Sequence, residues 1–327
     1  MKTRNTYAAR LPSDENRDHL IVQVAKLHYT MQRNQSEIAT ELGITRWQVA
    51  KLLNEALEEG IVRIEITPRA MRRTGLEVEL QKRFALRDAI VVPMGEITDP
   101  ALALETVARA AANYLANQSP KPALLGVGWG RTMTAVAHAL PQGWNPGIKV
   151  VLVNGATALQ TSQSRTSAVA ETFADSAGGS ADFLPVPAIV GLASTRKALV
   201  EDPIIRRVLA LAEQAPQVCF GIGGMGNDSV LLRSGYLSDT EFEGLRARGA
   251  VGDILGRFVD ENGAIVDAAL DARTVGLELH QLVGHPSAIG VVAGPEKTLV
   301  ARAALRAGYL SVLVTDEGTA EFLLGDS

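Results

Sequence analysis

Residues 34–51 read NQSEIATELGITRWQVAK, and this stretch decides the fold of the N-terminal part of the chain. Asn34 with Glu37, and Thr45 with Gln48, have capping-box spacing. In that motif a side chain and the residue three positions on satisfy each other's free backbone N–H groups at a helix start. Gly43 sits where a helix must end in the left-handed conformation, which glycine adopts without a Cβ clash. The spacing predicts one helix over about 35–42 and a second from Thr45 to about Glu59, stopped by Gly60. Upstream, Leu20, Val24 and Leu27 recur at helical period, which predicts a helix from Asp14 to near Thr30. Residues 1–13 show no period and read as a frayed arm. Downstream, VRIEIT at 62–67 alternates at period two, the pattern of a short strand. Three helices, a four-residue spacer (Gly43 to Arg46) and a strand describe a winged helix-turn-helix over residues 1–68. Pro68 marks its boundary, because proline cannot donate to a continuing ladder.

The third helix sorts its side chains by face. Val49, Leu53, Ala56 and Leu57 are expected inside, with Arg46, Trp47, Gln48 and Lys51 on the other side of its first two turns. Residues there reach base edges when a recognition helix enters the major groove. Arg46 and Gln48 suit bidentate contact with guanine and adenine, and Lys51 suits a phosphate. Trp47 has two readings: contact with a sugar or a thymine methyl, or packing on the wing. The competing account of the whole segment is a three-helix packing module with a solvated polar face.

Composition bounds the rest. The chain has 327 residues, 46% apolar and 21% charged, which describes two globular domains of unequal size. A single cysteine, Cys219, excludes an internal disulfide framework and a multi-cysteine zinc site. No apolar run approaches ~20 residues, and the N-terminal segment lacks a signal-peptide core, so a cytoplasmic protein without a membrane partner is expected. The net charge of −4 speaks against a nucleic-acid binder until it is divided by position. Residues 1–73 carry +3 and residues 74–327 carry −7. Arg69, Arg72 and Arg73 make a basic joint, and a short connecting helix is expected from about Leu76 to Phe84, within a linking segment 69–88.

From residue 89 to 327 the pattern becomes strand and helix in alternation. Apolar runs of strand length occur at 89–93, 123–127, 149–153, 217–222, 288–293 and 311–314. Between the first two, Leu104, Val107, Ala108, Ala111, Ala112 and Leu115 form one helical stripe. Strands apolar on both faces, alternating with helices, predict a Rossmann-like, mostly parallel, three-layer α/β/α domain.

Ligands of open α/β sheets bind beyond the carboxyl ends of the strands. The segments that follow the strands are Gly128-Trp129-Gly130-Arg131-Thr132, Asn154-Gly155, Gly223-Gly224-Met225-Gly226-Asn227-Asp228-Ser229 and Gly294-Pro295-Glu296-Lys297. Glycines let a backbone approach an anion, and free N–H groups at a helix start point at it. Arg131, Thr132 and Lys297 add donors. Several such loops at one sheet edge favour a phosphate-bearing ligand over plain turns. Gly221 to Gly226 also fits the dinucleotide spacing G-x-G-x-x-G, but another turn, Arg233-Ser234-Gly235, intervenes before the nominal ribose acid Glu241, so NAD is rejected and no cofactor is expected. Asp253, between glycines, is read either as an acceptor for sugar hydroxyls or as a turn cap. The five histidines show no metal spacing, although His280 and His285 are near in sequence. Cys219 lies in an apolar run and reads as an inert core thiol.

Five segments together carry a resemblance. They are QSEIA and LGITR of the helix-turn-helix, GVGWGRT at 126–132, SGYLSDTE at 234–241, GAVGDILGRFVDENG at 249–263, and the run from Gly290 through VLVTDEGTA. The chain resembles the SorC family of bacterial transcriptional regulators. The resemblance implies an effector domain similar to sugar-phosphate isomerases and deaminases but without their activity. It also implies a phosphorylated sugar or polyol as effector, and a homo-oligomer, dimer or tetramer, on double-stranded operator DNA. By motif match, Gln35, Ser36 and Thr45 join Arg46, Trp47, Gln48 and Lys51 as DNA-binding residues. Gly128 to Thr132 and Lys297 would hold phosphate, and Asp253 would take sugar hydroxyls. Arg165 sits where the family contributes a polar contact. Trp47 departs from the family, which carries a small polar residue there; His280 and His285 also depart from it. The alternative function is an isomerase- or deaminase-like enzyme with an added helical domain, for which Asp253 alone supplies no acid–base pair.

Overall fold

The computed structural model describes residues 14–62, 72–155 and 168–325. The chain divides into two compact units, Met1–Arg69 and Ala70–Ser327. In the first, helices α1 (Asp14–Ala25), α2 (Gln35–Leu42) and α3 (Arg46–Glu58) pack together, and a π-helical turn, Lys26–Thr30, extends α1. Both capping boxes form. Asn34 Oδ1 accepts from the N–H groups of Ser36 and Glu37, each at 3.0 Å, and the Glu37 carboxylate accepts from Asn34 N–H at 2.9 Å. Thr45 Oγ1 accepts from Gln48 N–H at 3.2 Å, and Gln48 Oε1 accepts from Thr45 N–H at 2.8 Å. Gly43 takes φ +66°.

The core of this unit is Ile21, Val24, Leu27, Ile38, Val49, Leu52, Leu53 and Ala56. Leu57 was expected inside and is instead 40% exposed. The inward stripe of α3 runs 49, 52, 53, 56, so Leu52 takes the place assigned to Leu57. Arg17 of α1 donates to both carboxylate oxygens of Glu55 on α3 at 2.7 Å. The arm at 1–13, the strand expected beyond Val62, and Arg69 of the basic joint lie outside the described residues.

The second unit opens with α4 (Thr74–Phe84) and then alternates. Its strands are β1 (Asp88–Val92), β2 (Leu124–Val127), β3 (Lys149–Leu152), β4 (Ser180–Asp182), β5 (Val218–Gly224), β6 (Gly252–Ile254), β7 (Arg257–Val259), β8 (Ala288–Val292) and β9 (Val312–Asp316). Its further helices are α5 (Pro100–Ala116), α6 (Arg131–Ala139), α7 (Ala168–Asp175), α8 (Ala193–Glu201), α9 (Pro203–Glu213), α10 (Val230–Arg233), α11 (Asp239–Ala247), α12 (Ala268–Asp271), α13 (Thr298–Arg306) and α14 (Glu317–Leu324). All six strands expected from the apolar runs are present. β4, β6 and β7, of three residues each, are too short to leave a periodic signal.

Seven strands lie in the order β1-β9-β8-β5-β2-β3-β4, every pair parallel. β6 pairs antiparallel with the end of β5 and with β7. From β2 the chain moves outward through β3 to β4; from β5 it moves the other way through β8 to β9. Right-handed crossovers therefore put α6 and α13 on opposite faces. α6 packs with α5 and α7, and α13 with α14, which gives the three layers. The direction reverses between β5 and β2, and a crevice opens there at the carboxyl ends.

β1 is an edge strand, and its outward polar groups are taken by the segment that precedes it. Val91 N–H donates to the buried Glu77 carboxylate at 2.9 Å, and Val91 O accepts from Arg73 N–H at 3.0 Å. Arg72 donates to Glu77 at 2.8 Å and to Ala89 O at 3.0 Å. α4 packs on β1 and α14, so the expected connecting helix is built into this unit.

Arg257 is the largest fully buried side chain among the described residues, 2% exposed. Its Nε donates to Leu277 O at 3.0 Å, its Nη2 to Gly276 O at 3.3 Å, and its Nη1 to the Asp271 carboxylate. Removing the guanidinium leaves the Leu277 and Gly276 carbonyls without this donor and the half-buried Asp271 carboxylate without its ion-pair partner, and an unsatisfied buried polar group typically costs about 1–3 kcal/mol. Arg257→Leu is expected to lower unfolding stability by about 3 kcal/mol. Urea denaturation of the two proteins measures this, and a loss under about 1 kcal/mol would show that the pair is not a structural requirement.

Candidate functional site

A pocket of about 750 Å3, part of it open to solvent, occupies the crevice where the strand order reverses. Each strand delivers its own contribution. The loop from β2 to α6 brings Trp129, Gly130, Arg131 and Thr132; the segment just past β3 brings Asn154; β5 brings Gly223 and Gly224; β6 brings Asp253; and the turn after β8 brings Lys297. These nine sequence-designated residues line one cavity.

The glycines here serve close approach. A Cβ on Gly223 would lie 2.0 Å from Asp253 Oδ1, and one on Gly224 would lie 2.6 Å from Glu296 O. Gly223 is paired with Asp253 across the β5–β6 ladder. The G-x-G-x-x-G spacing thus arises from a strand that must admit a carboxylate and a neighbouring main chain. The next helix, α10, opens only at Val230.

Three helical starts face the pocket with no side-chain cap: α6 at Gly130, α10 at Ser229 and the 3-10 turn Pro295–Lys297 at Gly294. Gly130 holds φ +123°, a conformation that only glycine adopts readily. Elsewhere α5, α9, α11, α12 and α14 carry Asp or Ser caps, although α4, α8 and α13 also lack one. Uncapped first turns leave N–H groups that an anion satisfies.

The pocket holds both signs of charge. Arg131 donates to the Asp228 carboxylate at 2.5 Å, and this bond holds the Asp228 carboxyl below its ordinary value. Lys297 is 12% exposed at its side chain and lies 3.9 Å from the Glu296 carboxylate. Burial pushes its ammonium below the usual lysine value, against the pull of Glu296. The Asp253 carboxyl is pushed up to about 6 by burial, although Gly256 N–H donates to its Oδ2 at 3.0 Å and Lys297 is near. Asn154, 4% exposed, has a buried Oδ1 with no hydrogen-bond partner. It is fixed there by Gly276, whose backbone bridges to it.

Other designated residues lie outside the pocket lining. Gly128 packs beneath Phe220 and Leu255. Gly155 O accepts from Trp129 Nε1 at 2.7 Å, so it positions the indole. Met225 O accepts from Arg246, and Gly294 N–H donates to Asp316 at 3.0 Å. Arg165 lies outside the described residues. Asp228, Leu255, Gly256 and Glu296 line the pocket without having been singled out. Asp228 and Glu296 lie in the glycine-rich loops, but an acid beside an anion-binding pattern carries no local signal.

The histidines are not a pair. His285 Nδ1 accepts from Ser287 N–H at 3.1 Å and its Nε2 faces Ala215 O at 3.0 Å, which makes it a neutral structural ring, its pKa lowered by burial. His280 is exposed beside Glu278. Cys219 is fully buried and burial pushes its thiol up to about 12, as an inert core thiol requires.

In the first unit, Arg46, Trp47 and Lys51 are exposed on the first two turns of α3. Gln48 Oε1 is occupied by Thr45, so its amide is not free for the bidentate adenine contact while the box is intact. Among the described residues, no helix is long and apolar enough to cross a membrane.

Residues 69–325 match the family described as "Putative sugar-binding domain". The chain belongs to the SorC family of sugar-binding transcriptional regulators. Over 98% of its length it is 30% identical to the transcriptional regulator LsrR of Klebsiella pneumoniae, covering 96% of that protein. It is 29% identical to the deoxyribonucleoside regulator of Bacillus subtilis, over 96% of this chain and 99% of that one. The crystal structure of the full-length sorbitol operon regulator SorC from Klebsiella pneumoniae superposes with a TM-score of 0.71, at 27% identity, over 96% of this chain and all of that one.

For this SorC-family chain the pocket makes a pH-dependent prediction. Asp253 has a folded pKa above its unfolded value. Its burial therefore costs nothing well below pH 4, where both states are protonated, little at about pH 4, and most above about pH 6. Asp253→Asn is expected to stabilise the protein by about 3 kcal/mol at pH 8 and by little at pH 4. Urea unfolding at both pH values measures this; an equal effect at the two would refute it.

Proposed function

We propose that this chain regulates transcription of a carbohydrate or polyol catabolic operon, and that a phosphorylated sugar in the pocket of the second unit controls its affinity for operator DNA. The single observation that carries this is the convergence at the switch point of uncapped helix starts with Arg131 and the buried Lys297. A phosphate group matches that donor set, and the sugar hydroxyls match Asn154 Oδ1 and Asp253. The names of the relatives agree in kind: deoxyribonucleoside regulator, sorbitol operon regulator and erythritol catabolism regulatory protein.

In this proposal residues 1–68 read DNA, 69–88 connect, and 89–327 bind effector and assemble the oligomer. Gln35, Ser36, Thr45, Arg46, Trp47, Gln48 and Lys51 form the DNA face. Two or more copies place their α3 helices on half-sites of one operator, so a few placed cations gain by avidity what the acidic second unit does not supply as bulk attraction. The effector binds the DNA-competent and incompetent arrangements with different affinity, and linkage makes the coupling reciprocal, typically about 1–3 kcal/mol. The chain acts as a binder rather than a catalyst in the cytoplasm. Asp253 is engaged by the Gly256 N–H, and turnover of aldose and ketose phosphates followed by NMR separates the enzyme alternative.

Gel shift on the upstream region of the protein's own operon, with and without a panel of sugar phosphates, is the direct test. No shift at low salt under any condition would end the regulator proposal. Lys297→Ala is expected to bind operator normally and to lose the effector response, measured by the same assay and by thermal shift. A ligand at 100 times its Kd adds about 2.7 kcal/mol of stability to the wild type. Arg46→Ala is expected to cost about 1–3 kcal/mol at one base position and to relax specificity there.

A further inference from the structure

Trp47 is 71% exposed, more than any other large apolar side chain among the described residues. Among the described residues the core of α3 is Val49, Leu52, Leu53 and Ala56, and the indole belongs to no buried cluster of them. It is the second residue of α3, in the turn from which a recognition helix reaches base edges. It is also held in place. The Lys51 ammonium lies 5.7 Å from the ring centroid, Lys51 lies 3.9 Å from Glu55, and Glu55 is gripped by Arg17 of α1. A cation over one indole face favours this ring orientation, by about 0.5–1 kcal/mol at an exposed site, and leaves the far side and edge uncovered.

An exposed ring held ready needs an apolar target. Indole has one donor and no acceptor, so it cannot make the bidentate patterns that identify purines. The major groove offers one apolar group, the 5-methyl of thymine. Wedging between base steps is a minor-groove device, for which a helix in the major groove is wrongly placed. Gln48, the residue suited to adenine, has its Oε1 committed to the Thr45 cap. An A·T pair under this turn is therefore read from its thymine side.

We infer that Trp47 is a specificity residue of the DNA face, packing its indole on the methyl group of one thymine in each operator half-site. This rests on the regulator reading of the preceding section, and the experiment separates the two. An operator is selected from randomised duplex by the full-length protein, and each thymine is replaced in turn by deoxyuridine, which removes only the methyl. Binding is read by fluorescence anisotropy at fixed salt. The expected result is one thymine per half-site whose replacement weakens wild-type binding about fourfold, the value of one buried methyl, and about fifteenfold when both half-sites are changed. Trp47→Ala binds the thymine and uracil operators equally, and Trp47→Phe retains discrimination, which also shows that the helix is intact. Indifference of the wild type to every replacement overturns the inference while leaving DNA binding standing. So does discrimination that persists in Trp47→Ala, or a Trp47→Ala loss that is uniform over unrelated duplexes, which is the mark of a phosphate contact. Failure to select any duplex at low salt removes the regulator reading and this inference together.

Discussion

A guanidinium with almost no access to water organises the second unit. Arg257 donates to the Leu277 and Gly276 carbonyls and to the Asp271 carboxylate, and so ties down both ends of the segment from Asp271 to Leu277, in which Thr274, Val275 and Leu277 are buried. Once that segment is held, it holds others. Val275 N–H donates to Ala188 O at 2.8 Å, Leu277 N–H donates to Val153 O at 2.8 Å, and Gly155 N–H donates to Val275 O at 3.0 Å. Gly276, at φ +138°, then lies against Asn154 so closely that a Cβ would come within 2.6 Å of its Cα. The same arginine begins β7, whose partner β6 carries Asp253. One buried cation thus sets two walls of the pocket, from the ends of β3 and β6, without entering it.

The remaining walls follow from topology. Reversal of strand order between β5 and β2 leaves a gap at their carboxyl ends, and the loops that follow the two strands open α6 and α10 beside it. What makes the gap specific is electrostatic. Arg131 and Lys297 are each accompanied by a carboxylate, Asp228 and Glu296, so the cations are not bare before a ligand arrives. An incoming anion must outcompete those partners in a unit whose net charge is negative, and main-chain N–H groups, which bring no counter-charge, favour it.

Legibility in the sequence followed the range of the interactions. Capping boxes, the Gly43 stop and the six strand runs are local patterns, set by neighbours three or four residues away or by continuous apolar stretches, and each appears where its spacing put it. Nine pocket residues were also legible, because loops after parallel strands must gather at one edge. Leu57 was not, because helical phase over two turns does not separate positions 52 and 57 without knowing where α1 lies. Arg257 was invisible as a core residue, since its burial depends on carbonyls 14 to 20 positions away. Asp228 and Glu296 belong to the same class: their roles depend on cations brought by other loops.

The covered edge at β1 has a consequence for assembly. Glu77, Arg72 and the Arg73 main chain occupy the hydrogen-bonding positions through which another strand would extend the sheet. A second copy approaching there would have to displace a buried carboxylate and strand its charge, so continuous intermolecular sheet growth is blocked on that side. The segment immediately after the first unit thereby doubles as a guard against polymerisation, and any symmetric association through this side has to be built from side chains on helical surfaces rather than from main-chain ladders.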